Sequence, residues 1–269
     1  MHEIAKKDKL IYFKFLNSLP KKINKLYFKK LEGRFKLKNK SKKKNGFDPV
    51  TNIDKAIESF LRKEITKKFP KDGIVGEEFK TKKSKSGFSW IIDPIDGTSN
   101  FLHGIPHFAI SLALEKKNEI ICGIIYDPIK NEMFMAEKEK GAYVNNQRIR
   151  VSSRKKLKDC MIFTGGPIFE SKERELSLDE YRKISKFLPS PLRKMGSAAL
   201  DIAYVAAGRA DGFFQRNLNY WDIAAGIIIV KEAGGFITDY SGNSDSLNKR
   251  NILVTNSFIN KDLVDLINS

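Results

Sequence analysis

Residues 90–101 read WIIDPIDGTSNF, in which three apolar residues run into two aspartates, Asp93 and Asp96. Pro94 fixes its own φ and disfavours a helical conformation at the residue before it. The segment therefore predicts a buried strand that ends in a turn, with both carboxylates directed into one small volume.

Two carboxylates in one small volume repel each other unless a proton or a cation lies between them. Mg²⁺ takes oxygen ligands and keeps positions for water and substrate phosphate. Gly97 removes a side chain where a ligand would approach the backbone, and the N–H groups from Thr98 onward, at a helix start, can meet an anion. The pattern predicts a metal and phosphate site; the alternative is an ordinary acidic turn capped by Thr98.

Periodic patterns on both sides of this segment predict a mixed α/β protein. Apolar residues recur at helical spacing from about Asn52 to Phe69. Residues 107–115, 120–128 and 132–145 (HFAISLALE, IICGIIYDP and EMFMAEKEKGAYVN) predict consecutive strands without intervening helices. Such an order favours antiparallel or mixed sheets over a repeated strand-helix-strand unit.

The remaining helices are predicted from apolar periodicity and end signals. Residues 3–31 predict one or two amphipathic helices interrupted near Pro20. Ser177 and Glu180 have capping-box spacing and predict a helix over residues 177–187. Further helices are predicted to begin near Ser197 and to span residues 222–232, the latter ending at residues 234–235, which are both glycine.

Composition narrows the class of protein. The chain has 269 residues, of which 41% are hydrophobic, so a large core is expected. It contains no apolar run long enough to predict a membrane span, and its first residues lack the apolar core of a signal peptide. Cys122 and Cys160 are too few for a disulfide framework. We therefore expect a cytoplasmic protein with no membrane contact.

The formal net charge of +18 is concentrated at the start of the chain. Residues 1–47 carry 16 Lys or Arg against 3 Asp or Glu and end in a lysine-rich loop that extends to about Gly46. Such a region suits an anionic partner, either RNA or a phosphorylated substrate. The favoured interpretation is nevertheless a solvated basic surface, because no aromatic stacking platform or groove-reading motif accompanies the lysines.

Three further acidic segments are individually ordinary but notable together. Residues 76–78 read GEE, residues 221–226 read WDIAAG, and residues 48–54 read DPVTNID. GEE alone predicts only a solvated acidic turn, and an aspartate at a helix start is usually a cap.

With DPIDGTSNF, these segments resemble the signature segments of the inositol monophosphatase family, in family order and spacing from about Lys44 to Thr255. The resemblance implies a layered αβαβα sandwich of the inositol monophosphatase/fructose bisphosphatase type. It also implies one domain over residues 1–269: a basic helical region and loop (1–47), a metal- and phosphate-binding half (48–150) and a half that carries Trp221-Asp222 (151–269).

The resemblance also implies site residues, position by position. A first Mg²⁺ would be held by Glu77, Asp93 and the carbonyl of Ile95, and a second by Asp93, Asp96 and Asp222, with two or three ions in all. Gly97 and Thr98 would bind phosphate through their N–H groups, and Thr98 with Asp54 and Glu77 would activate the attacking water. The alcohol of the substrate would lie against Asp96, Gly196, Ala198, Gln215 and Asp222.

The resemblance implies a dimeric, Mg²⁺-dependent phosphatase of small polyol phosphates that is sensitive to lithium. Myo-inositol 1-phosphate is the leading substrate. Gln215 stands where the family commonly has a glutamate that would bind two sugar hydroxyls. The alternatives that stay open are histidinol phosphate, a sugar bisphosphate or a 3′-phosphonucleotide, and an additional role in contacting RNA or the transcription machinery. His103 and His107 match no ligand of the family and are expected to be structural.

Overall fold

The computed structural model describes residues 6–31, 37–39, 49–166, 171–244 and 250–269. Its helices are α1 (Lys6–Leu31), α2 (Asn52–Lys68), α3 (Thr98–Leu102), α4 (Ser171–Phe187), α5 (Ala198–Ala206), α6 (Tyr220–Glu232) and α7 (Asn260–Asn268). Its strands are β1 (Leu37–Asn39), β2 (Pro49–Thr51), β3 (Gly73–Gly76), β4 (Phe88–Asp96), β5 (Ala109–Lys116), β6 (Glu119–Asp127), β7 (Glu132–Glu137), β8 (Gly141–Val144), β9 (Gln147–Ile149), β10 (Ile162–Thr164), β11 (Gly212–Gln215), β12 (Phe236–Thr238) and β13 (Ile252–Thr255).

The strands form a large sheet, a small sheet and a separate pair. The large sheet has the order β3-β4-β5-β6-β7-β8-β9, in which β3 and β4 are parallel and the other neighbours are antiparallel. The small sheet has the order β10-β11-β13-β12, with β10 and β11 parallel, while β1 pairs with β2. The prediction of a mixed α/β protein is confirmed.

Strand β4 separates two cores because alternate side chains point to opposite faces of a sheet. Trp90 and Ile92 belong to the apolar cluster that joins the large sheet to α1 and α2. Ile91 belongs to the cluster that joins its other face to α5 and α6. The apolar run at residues 90–92 is therefore buried on both faces.

Helices α5 and α6 form the middle layer between the two sheets. Phe213 and Val254 of the small sheet share their cluster, whereas Phe214 and Leu253 of the same strands pack with α4 and α7. Gly123 of β6 lets α6 approach closely, since a Cβ there would lie 2.9 Å from the Cα of Ala225. The layers follow the order αβαβα, as the family resemblance implies.

Two predictions about helices are wrong. Helix α1 continues through Pro20 without interruption; Leu16, Leu19 and Ile23 are fully buried on both sides of the proline, and this packing offsets the lost backbone hydrogen bond. Helix α4 begins at Ser171, so Ser177 is an interior residue that donates to the Glu173 carbonyl (2.9 Å) instead of capping.

Other boundaries agree with the predictions to within two residues. Helix α6 begins at Tyr220, and Gly234 follows its C-cap with φ +85°. In the predicted basic loop, Leu37–Asn39 form β1, and residues 40–48 lie outside the described residues. None of the helices in the described ranges combines the length and apolar character needed to cross a bilayer.

Candidate active site

The site begins where strand β4 ends. Its pairing with β5 shifts register between Asp93 and Asp96, so the strand bulges where Pro94 interrupts it. Asp93 Oδ1 accepts from the N–H of Ile95 (3.0 Å), which stabilises the turn. Gly97 then adopts φ +92°, which glycine adopts without a steric cost, and α3 begins at Thr98.

Three carboxylates from two distant segments meet here. One oxygen from each of Asp93, Asp96 and Asp222 lies within 4.8 Å of the others, and Asp222 is in the first turn of α6. The sequence expectation that Asp93 and Asp96 converge agrees with this geometry. All three side chains of this group are acidic.

The electrostatics of this cluster favour a cation. Burial raises the pKa of Asp93 well above its usual value, and the neighbouring carboxylates of Glu77, Asp96 and Asp222 raise it further. Burial, and to a smaller extent the charge of Asp96, also raises the pKa of Asp222 well above its usual value. A divalent cation would remove both the repulsion and the need for protons, and oxygen donors of this kind suit Mg²⁺.

Asp96 is held by the start of α5. Its Oδ2 accepts from the hydroxyl of Ser197, the N-cap residue, and from the N–H of Ala199 (2.8 Å). These donors lower the pKa of Asp96, although burial is the larger effect and the pKa remains raised. Ser197 therefore orients a carboxylate of the cluster as well as capping a helix.

Asp222 is oriented by a capping box. Its Oδ2 accepts from the N–H of Asn219 (2.7 Å), and Asn219 is the N-cap of α6. The Asn-x-x-Asp spacing was visible in the sequence, so this was a recoverable signal.

Thr98 connects the turn to α2. Its hydroxyl lies 2.9 Å from the Ile95 carbonyl and 3.2 Å from Asp54 Oδ1. Asp54 is buried in the first turn of α2. Asp54 therefore reaches the site through Thr98 and does not line its cavity.

Glu58 positions the GEE segment. Its side chain is fully buried, and its Oε2 accepts from the N–H of Glu78 (2.7 Å). A Cβ on Gly76 would lie 2.2 Å from Glu58 Oε1, so glycine is required at that position for Glu58 to fit. Helical periodicity in α2 gave no indication of this contact.

Asn100 holds the loop before α5 against α3. Its Nδ2 donates to the carbonyls of His107 and Met195, both at 2.7 Å. Gly196 adopts φ +91°, and a Cβ there would lie 2.8 Å from Asn100 Nδ2. The close approach of backbone to side chain explains this glycine.

The residues enclose a cavity of about 280 Å³. Ten residues implied by the family resemblance line it: Glu77, Asp93, Ile95, Asp96, Gly97, Thr98, Gly196, Ala198, Gln215 and Asp222. Gly165, Gly166, Leu218 and Asn219 line it too and were not foreseen.

Neither His103 nor His107 lines this cavity. His103 is exposed, with Nδ1 2.8 Å from the Ser99 carbonyl. His107 is buried with Nε2 3.3 Å from Asp201 Oδ1. Burial raises the pKa of Asp201 and His107 lowers it, and the net result is a pKa of about 6.

Known proteins resemble this chain in both sequence and fold. The sequence model described as the inositol monophosphatase family matches residues 12–269. An inositol-1-monophosphatase of Rhizobium meliloti is 44% identical over 221 residues, 82% of this chain and 83% of that protein. Nus factor SuhB of Pasteurella multocida is 40% identical over 223 residues, 82% of each chain. The crystal structure of the extragenic suppressor protein suhB from Bartonella henselae superimposes with a TM-score of 0.87 at 40% identity, covering 95% of this chain and 97% of that one.

Proposed function

We propose that this chain, which belongs to the inositol monophosphatase family and is a phosphoric monoester hydrolase, uses Mg²⁺ to hydrolyse a small polyol phosphate. The observation that carries the proposal is the convergence of Asp93, Asp96 and Asp222 within 4.8 Å. Myo-inositol 1-phosphate is the substrate we propose, with inositol and phosphate as the products.

The oxygen donors around the cavity fit a two-ion arrangement. Glu77, Asp93 and the Ile95 carbonyl would hold one Mg²⁺, and Asp93, Asp96 and Asp222 a second, with a third ion left open. When bound, Mg²⁺ would supply positive charge that stabilises the phosphoryl oxygens and the leaving oxygen. The Ile95 carbonyl has a second lone pair beside the one that accepts from Thr98, so both contacts are compatible.

The chain's own groups position the reactants. The N–H groups of Gly97 and Thr98 would bind phosphate oxygens. The contacts of Thr98 with Asp54 and Ile95 fix its hydroxyl, so that its oxygen can accept a hydrogen bond from the attacking water. Glu77 would take the proton of that water, as a general base.

The alcohol would lie on the side formed by Asp96, Gly196, Ala198, Gln215 and Asp222. Gln215 is neutral and both donates and accepts, so it can bind a hydroxyl without the added strength of a charged acceptor. Alternative alcohols are histidinol phosphate, a sugar bisphosphate and a 3′-phosphonucleotide.

A substrate panel tests the proposal. Purified protein should release phosphate from myo-inositol 1-phosphate in Mg²⁺ and lose that activity in excess EDTA. Histidinol phosphate, fructose 1,6-bisphosphate, a 3′-phosphonucleotide and glycerol 2-phosphate complete the panel. Preference for another member corrects the substrate alone, whereas absence of Mg²⁺-dependent hydrolysis of every member contradicts the proposed function.

A second role is suggested by the relative named Nus factor SuhB and by the positive charge of residues 1–47. We propose that any contact with RNA runs through this region, part of which lies outside the described residues. Deleting residues 1–6 or neutralising Lys42, Lys43 and Lys44 in pairs should then lower RNA affinity more than kcat. Each lost phosphate contact should reduce the slope of log K against log[salt] by about one. Absence of RNA binding at low salt would leave the region a solvated surface.

We propose a homodimer because the family resemblance implies one. We propose a cytoplasmic location because the two cysteines are both buried and free. Sedimentation at micromolar protein concentration tests the dimer.

A further inference from the structure

Gly165 directly follows β10, and Gln215 is the last residue of β11, the neighbouring strand of the small sheet. Strands β10 and β11 are parallel, with Thr164 opposite Phe214, so Gly165 and Gln215 are the next residues along the two segments. The hydroxyl of Thr164 donates to the Phe214 carbonyl (3.0 Å) and ties the two strands together just before this pair. Both residues line the cavity.

The side chain of Gln215 occupies the space where a side chain at position 165 would begin. A Cβ on Gly165 would lie 1.7 Å from Gln215 Oε1, 1.9 Å from its Cδ and 2.6 Å from its Cγ. These distances are far below van der Waals contact. The carboxamide therefore rests directly on the Gly165 backbone.

The need for glycine here is a need for space. Gly165 is absent from the glycines with positive φ, so alanine can adopt its backbone conformation. Its neighbour Gly166 gives a contrast, because a Cβ there would meet no atom within 4 Å. Of these two positions, 165 is the one that limits where the Gln215 carboxamide can lie.

We propose that Gly165 is a specificity-determining residue, which acts by giving Gln215 the space to present its carboxamide to the alcohol of the substrate. The inference rests on the proposed function and concerns the alcohol side of the same cavity. Substrate preference is a property of the Gly165–Gln215 pair: a methyl group at position 165 forces the carboxamide into another rotamer, while the carboxylates and the Gly97–Thr98 turn keep their positions.

A double-mutant cycle tests the pair with two substrates, myo-inositol 1-phosphate and glycerol 2-phosphate. Gly165→Ala and Gln215→Ala should each lower kcat/KM for the inositol ester about tenfold, which corresponds to about 1.4 kcal/mol, and change it for the glycerol ester less than about twofold. The double variant should lose no more than either single variant, because the two changes remove the same interaction. Gly166→Ala should leave the ratio between the two substrates as in the unaltered protein.

Each other outcome has a defined meaning. The inference is overturned, while the phosphatase function stands, if the losses add in the double variant. It is also overturned if Gly166→Ala changes the ratio of kcat/KM between the two substrates as much as Gly165→Ala does. An unchanged ratio in Gln215→Ala overturns it too, and this variant does not depend on how position 165 tolerates a methyl group. Equilibrium binding of inositol 1-phosphate gives the same cycle without turnover. Absence of both hydrolysis and binding in the unaltered protein overturns the inference together with the proposed function.

Discussion

Replacing Asp93 by asparagine should inactivate the enzyme and at the same time stabilise the metal-free protein. Asp93 is buried within the carboxylate cluster, and burial together with the charges of Glu77, Asp96 and Asp222 raises its pKa well above the usual value. Asparagine has nearly the same shape and keeps an oxygen that can accept from the Ile95 N–H. The substitution therefore removes charge with little change in packing.

The expected size follows from the geometry. The carboxylate oxygens lie within 4.8 Å of one another, and two unit charges at that limit repel by about 3.5 kcal/mol at an effective dielectric constant of about 20. Asp93 takes part in two such pairs, with Asp96 and with Asp222. Proton uptake by the cluster relieves part of the repulsion, so we expect a gain in the free energy of unfolding of at least about 1 kcal/mol at pH 8, or about 2–4 °C in Tm.

The dependence on pH has a definite sign. A carboxyl group whose pKa is higher in the folded than in the unfolded protein destabilises the fold increasingly as the pH rises through the folded pKa. The stability gained by Asp93→Asn without metal should therefore be larger at pH 8 than at pH 5. Bound Mg²⁺ offsets the charge repulsion in the unaltered protein, whose free energy of unfolding should rise by about 2.7 kcal/mol at a Mg²⁺ concentration 100 times Kd.

Thermal unfolding in EDTA and in Mg²⁺ measures the stability gain, its dependence on pH and the stabilisation by Mg²⁺. Initial rates on inositol 1-phosphate measure the loss of activity. Asp262→Asn, which removes an exposed carboxylate from the first turn of α7, is the control and should change neither the response to Mg²⁺ nor turnover. A lower Tm of Asp93→Asn in EDTA at pH 8, or undiminished stabilisation of it by Mg²⁺, would refute the reasoning. Turnover near that of the unaltered protein would end the two-ion proposal.

Three further predictions concern the same cavity. Ser197→Ala removes the hydroxyl that donates to Asp96. Since a hydrogen bond to a charged group contributes about 1.5–3 kcal/mol, the Mg²⁺ concentration for half-maximal rate should rise about tenfold or more, and Ser197→Thr should restore it. An unchanged concentration would contradict the role given to Ser197. Gln215→Glu should improve kcat/KM for inositol 1-phosphate more than for glycerol 2-phosphate, because a carboxylate accepts more strongly from hydroxyls; a constant ratio would mean that Gln215 does not contact the alcohol. LiCl at millimolar concentration should inhibit uncompetitively with substrate, as the family resemblance implies, by occupying the second cation position after the alcohol leaves; equal rates in LiCl and KCl would count against that position.

The local structure of the site could be predicted from residues 90–101 alone. An apolar run predicts a strand, Pro94 its irregular end, and Gly97 the turn into α3, and each of these is a property of neighbouring residues. The convergence of Asp93 and Asp96 followed for the same reason. The periodicity of residues 52–69 and the alternation of residues 107–145 likewise reflect local conformation, so their elements were placed to within a few residues.

Contacts between distant segments could not be predicted in this way. The periodicity of α2 indicated a buried face but not that Glu58 lies on it and holds Glu78. The MGSAAL segment indicated a helix start near Ser197 but not that its hydroxyl reaches Asp96. Similarly, a proline was expected to interrupt α1, yet packing on both sides of Pro20 keeps the helix continuous.

The pair formed by Gly165 and Gln215 illustrates the physical reason. Neither segment by itself indicates the contact, and the 1.7 Å separation between Gln215 Oε1 and a Cβ at position 165 exists only because β10 lies beside β11. Backbone preferences act over a few neighbouring residues and can be inferred from the chain, whereas side-chain contacts depend on how sheets and helices pack, which is a property of the whole fold.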